Sequence, residues 1–176
     1  MKFFSLSIAA VLQLAIATGV VHAAPAPDNG VTGLVISHIV PVGEYNMTYW
    51  VDAPGTSTVA ARALSARACG TNDVTCSGSF LADTDICSQL VNSLNTGISI
   101  GNSPRSICLG QSNNQCCTSW SGAVGTMPES DLVNAAINIF NACWSPTDGS
   151  GLARNVLLNN ICVTQCLSNR PDGCTN

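Results

Sequence analysis

Charge is the first thing this chain has little of. Asp, Glu, Lys and Arg together make up 9% of it, and the six basic residues, Lys2, Arg62, Arg67, Arg105, Arg154 and Arg170, are scattered. With no basic patch and a net charge of −4, the chain has no electrostatic footprint for nucleic acid or for an anionic membrane surface. Lysine is absent beyond position 2, and the two histidines are His22 and His38. A nucleophilic site needs a base beside a Ser or Cys, so beyond the N-terminal leader it would have to use His38. No G-x-S-x-G elbow occurs. Aromatic residues are few, and Trp50, Trp120 and Trp144 lie far apart. After Phe3 to Val21 there is no second long apolar run.

What the chain has is cysteine. Ten are present, Cys69, Cys76, Cys87, Cys108, Cys116, Cys117, Cys143, Cys162, Cys166 and Cys174, all within the C-terminal 108 residues, 69–176. The start of the chain sets their redox context. Met1-Lys2, an apolar run, and Val21-His22-Ala23 before Ala24-Pro25-Ala26-Pro27 have the layout of a secretory signal peptide over residues 1–23. Ser5, Ser7, Gln13 and the Thr18-Gly19 break argue against a membrane anchor. Ten cysteines in an exported chain imply five disulfides and an extracellular, secreted protein. Spacing does not choose among the pairings. The same context favours disulfides over a metal site at Cys116-Cys117 or at Cys162 and Cys166, so neither metal nor cofactor is expected.

The chain divides into the leader, an N-terminal segment over 24–68, and a disulfide-rich α+β domain over 69–176. In the second part, alternation around Leu34 to Ile39 and Tyr45 to Trp50 predicts a β-hairpin with Pro41 to Glu44 between its strands. Asn46-Met47-Thr48 is an N-glycosylation acceptor. Trp50, close by, is expected at the surface as a possible ligand contact. Ala53 to Ala68 reads as an Ala-rich linker, with a short helix over Val59 to Ala68 as the alternative.

Within 69–176, Cys69 to Cys76 reads as a turn and strand. Asp83 to Asn95 reads as a helix with Asp83 as N-cap and Cys87, Leu90, Val91 and Leu94 on one face. Arg105 to Gly122 reads as a second hairpin. Cys116 and Cys117 point to opposite faces of its second strand and need different partners; partners are expected on the flanking helices and the last strand. Thr126 and Glu129 have capping-box spacing around Pro128, predicting a second helix that Pro146 ends. Asn155 to Leu158 and Ile161 to Leu167 are apolar enough for a closing strand, with a helical turn first as the alternative. This order predicts a split βαβ, ferredoxin-like sandwich. Its antiparallel sheet would carry both helices on one face, preceded by the N-terminal hairpin. Ile107-Cys108 with Gln115-Cys116, and Ile161-Cys162 with Gln165-Cys166, echo each other and suggest two similar halves.

Two carboxylate pairs, Asp83 with Asp85 and Glu129 with Asp131, could in principle hydrolyse glycosides. Each lies at a predicted helix start, where negative charge is favoured anyway.

Cys69-Gly70, Pro104 to Cys108, Cys116 to Ser121 and the run Cys162 to Cys174 resemble the fungal secreted cysteine-rich proteins with a WD-like domain. The likeness covers most of the chain after the leader, and its last motif is the most specific. It implies secretion and brings no established activity and no catalytic residues. More distantly, the order of cysteines and helices is similar to necrosis-inducing effectors and killer-toxin-like folds. The expectation is therefore a secreted, non-enzymatic interaction protein of effector or toxin-like kind. Its partner would be an unknown protein or a cell-wall glycan. A wall-polysaccharide-binding module and a small secreted hydrolase are the alternatives.

Overall fold

A computed structural model describes residues 33–54, 69–100, 104–111, 114–144, 147–172 and 174. The leader, the Pro- and Ala-rich start, most of the linker and Pro146 lie outside the described residues. The order is β1 (Leu34–Val42), β2 (Tyr45–Asp52), β3 (Asp73–Cys76), α1 (Thr84–Ser93), β4 (Ser99–Ile100), β5 (Pro104–Gln111), β6 (Asn114–Trp120), β7 (Met127–Pro128), α2 (Val133–Cys143), β8 (Gly151–Leu158) and β9 (Ile161–Ser168). Seven strands form one sheet in the order β1-β2-β5-β6-β9-β8-β3, and β4 pairs with β7 in a small ribbon.

The protein is α+β, but it is not the split βαβ arrangement. That arrangement leaves a single antiparallel strand between the two strands of each βαβ unit, whereas β8, β9 and β6 all lie between β3 and β5, the sheet strands on either side of α1. The cause lies in the closing stretch. Asn159 and Asn160 take positive φ values of 45° and 63°. Two such residues make the tight hairpin turn that matches strand twist, so the stretch forms two strands, β8 and β9. β9 then pairs with β6, and β8 carries β3. The first hairpin is part of the same sheet, because β2 pairs with β5 from Asn46↔Gly110 to Val51↔Pro104. Gly43, with φ 60°, opens the two-residue turn between β1 and β2.

Both helices pack on one face. Leu90, Val91, Leu94, Leu132, Ala136 and Ile139 share a core with Tyr49, Ile107, Leu109, Trp120, Val163 and Leu167 from the sheet. Asp83 caps α1 by accepting from the backbone N–H groups of Asp85 and Ile86 at 2.9 and 3.0 Å. The start of α2 differs from the capping-box expectation. Met127–Pro128 is strand β7, Glu129–Leu132 is a 3-10 turn, and α2 begins at Val133. Nε2 of the buried Gln165 donates to Thr118 Oγ1 at 3.0 Å and to the Leu132 carbonyl at 2.9 Å, tying β9, β6 and that turn together. Among the described residues no helix is long and apolar enough to cross a membrane.

Five disulfides hold this frame, and no described cysteine is free. Cys116 reaches α1 through Cys87, while Cys117, on the opposite face, bonds Cys108 directly across the hairpin. The partner of Cys117 is thus neither on a helix nor on the last strand. Cys76–Cys143 joins β3 to α2, Cys69–Cys162 joins the turn before β3 to β9, and Cys166–Cys174 pins the tail. The echo between the halves does not extend to the bridges. Cys166 pairs in register with Ser119, on the face opposite Cys116.

Candidate interaction surface

Of the residues named as catalytic candidates, Asp83 and Glu129 are engaged in the fold, and His38, Asp85 and Asp131 are exposed. His38 is exposed on β1 and stacks on Tyr49 with ring centroids 4.2 Å apart and planes 9° from parallel. Its Nδ1 lies 3.2 Å from the Ser37 hydroxyl. Asp85 and Asp131 are exposed, and Asp83 is engaged in its cap. Glu129 is 0% exposed. The Tyr49 hydroxyl donates to its Oε1 at 2.6 Å and Thr96 donates to its Oε2 at 3.2 Å. Burial, then the hydrogen bond to Glu129 and the charge on that carboxylate, push the Tyr49 phenol well above the usual tyrosine range.

The tryptophans are all turned inward: Trp50, Trp120 and Trp144 are 9%, 1% and 7% exposed. Trp50 therefore departs from its expected surface position. It packs with Cys108 and Cys117 on the sheet face away from the helices, against Leu34 and Ile36. No tryptophan presents a broad face on which a sugar ring could stack. Asn46 is exposed near the start of β2.

The least ordinary surface feature is the loop from Ser77 to Leu81, between β3 and α1. Phe80 has φ 58°, a left-handed conformation that is a genuine outlier for a bulky side chain. Its ring is 49% exposed, and Leu81 beside it is 44% exposed. The strained position is held from several sides. The Phe80 carbonyl accepts from Asn169 N–H at 3.0 Å, and the Arg170 guanidinium lies 3.6 Å from the ring centroid. Arg170 in turn pairs with Asp172 at 3.5 Å. Below the loop, the buried Ser150 hydroxyl lies 2.6 Å from the Ser79 carbonyl and 3.2 Å from that of Ser77. Ala82 and Gly149 bridge through reciprocal backbone hydrogen bonds of 2.9 and 3.2 Å.

Backbone strain of this kind costs of order 1–3 kcal/mol, whereas an exposed cation–π contact returns about 0.5–1 kcal/mol. The local contacts do not repay the conformation by themselves. The outcome is a tip with an aromatic ring, an aliphatic side chain and a guanidinium side by side, and aromatic residues and arginine are enriched at protein interfaces. Composition gave no pointer to it. The sequence signal available was a Phe-Leu pair in a Ser- and Gly-rich loop.

A family model described as Fungal WD-like matches residues 51–174. No curated protein and no solved structure matches the chain.

Proposed function

The chain belongs to the fungal WD-like family, and we propose that it works outside the cell as a non-enzymatic interaction protein of effector or toxin-like kind. Its contact element is the Phe80–Leu81 tip with Arg170. The observation that carries this reading is the exposed Phe80 ring held at φ 58°. A ring fixed in advance loses little entropy on binding. The complementary partner is a protein pocket with an apolar floor and an acidic rim, which takes Phe80 and meets Arg170.

Five disulfides suit the extracellular setting. A non-enzymatic role is supported by the structural engagement of Asp83 and Glu129. The wall-polysaccharide alternative rested on tryptophan faces, and their burial removes its support.

The test applies the purified, disulfide-intact protein at micromolar concentration to host or competitor cells. It binds or perturbs them, and a triple variant, Asp85→Asn, Asp131→Asn and His38→Gln, does so equally. A protein with no binding and no effect ends this reading. Loss of the effect in the folded triple variant transfers it to hydrolysis.

A further inference from the structure

Among the described residues, β1 is one edge of the seven-stranded sheet. Its nine residues, Leu34 to Val42, include no charged side chain, and Val35, Ile39 and Val40 are 40%, 48% and 41% exposed. The opposite edge is guarded. β3 has four residues, Asp73 holds Asn155 at 2.7 Å, and Cys76 is bridged to Cys143. An open strand edge is a template for pairing unless charge, proline or a bulge blunts it. β1 carries the last two devices. A register shift falls between Ile36 and His38, and Pro41 supplies no N–H near the turn. Pro41 ends the stretch that can pair at Val40, the shift interrupts it at Ser37 so that pairing runs over Leu34 to Ile36 and His38 to Val40, and neither device places a charge on it.

We infer that β1 is the interface of a two-fold homodimer, in which the β1 edges of two copies pair antiparallel and join their sheets. The inference goes beyond the reading of the Phe80 tip and uses none of its residues. A two-fold interface must be complementary to itself, and a strand without Asp, Glu, Lys or Arg meets that demand at neutral pH without opposing like charges. Val40 lies on the helix side of the sheet beside Met47, and Ile39 on the other beside Thr48, so both faces of the junction gain apolar contacts. Antiparallel pairing also separates the nearest unpaired acid among the described residues. Glu44 sits in the turn at one end of β1, and nine residues at about 3.4 Å each put two such turns roughly 30 Å apart. That is several times the screening length of about 8 Å at physiological salt. The other nearby acid, Asp52, is neutralised by Arg105 at 2.9 Å.

Sedimentation of the disulfide-intact protein from nanomolar to submillimolar concentration tests this. The expected result is a reversible monomer–dimer equilibrium. Ile39→Lys and Val40→Lys each weaken it at least tenfold, and Leu157→Lys, at another exposed apolar site, does not. Hydrogen exchange over Leu34 to Val40 in the unmodified protein slows as concentration rises, a readout that needs no variant to fold. A monomer at every concentration overturns the inference, as does a dimer indifferent to both β1 substitutions or exchange in β1 that is independent of concentration. None of these outcomes bears on whether the Phe80 tip binds a partner.

Discussion

The Tyr49 hydroxyl and the Glu129 carboxylate meet at 2.6 Å inside the protein, although 80 positions separate them in the chain. The bond joins the cysteine-free hairpin to the turn before α2. Glu129 is fully buried, with Thr96 as a further donor. Removing one donor from a buried carboxylate costs about 1.5–3 kcal/mol. Tyr49→Phe is therefore expected to lower unfolding free energy by that amount in a urea titration. A value indistinguishable from the unmodified protein would contradict the strut.

The same bond has a pH signature. A tyrosine phenol ordinarily titrates at about 10, and in the folded state Tyr49 is raised well above that by burial and by Glu129. A raised folded value means the unfolded chain gives up its proton first. The contribution of Tyr49 is complete below the ordinary value and is lost as pH climbs beyond it. The alkaline fall in melting temperature should thus be shallower in Tyr49→Phe. Identical alkaline slopes would exclude this linkage.

The disulfides should contribute unequally. Cys69–Cys162 closes a separation of 93 residues, and Cys108–Cys117 one of 9 that the hairpin ladder already closes. Loop entropy gives about 4.7 kcal/mol for a loop near 100 residues and about 3 for one near 15. Replacing the Cys69 and Cys162 pair by alanine should depress the melting temperature more than replacing the Cys108 and Cys117 pair. Full reduction should unfold the protein, and a melt unmoved by strong reductant would refute the disulfide frame.

Asn46 offers a simple check on export. It is exposed, and its sequon continues through Met47 and Thr48. Protein secreted by a eukaryotic host should lose mass on treatment with an amidase that removes N-glycans, and Asn46→Gln should abolish the change. Unglycosylated secreted protein would remove Asn46 as a modification site.

Local chemistry made much of the fold legible. The Asp83 cap, the Cys87–Leu94 face of α1 and both hairpins follow from signals within a few residues of each other. The start of α2 was misread because Thr126 and Glu129 fit a capping box. Long-range partners, Tyr49 and Thr96, bind the Glu129 side chain instead. The closing stretch reads as one strand only if Asn159-Asn160 is passed over; those two residues carry the turn signal that splits it into β8 and β9. Trp50 was misplaced because the sheet it would cover is assembled from strands distant in sequence. The Phe80 tip was not legible at all: its strain is imposed by Ser150 and Asn169, about 70 and 89 residues downstream.

The account turns on that tip, and Phe80→Asn tests it most directly. Asparagine tolerates the left-handed conformation, so relief of strain at least offsets the lost cation–π contact and the variant should be no less stable than the unmodified protein. The measurement is cell binding by the folded variant alongside its melting curve. The account predicts a normal melt with binding weakened at least tenfold. A normal melt with unchanged binding would contradict it.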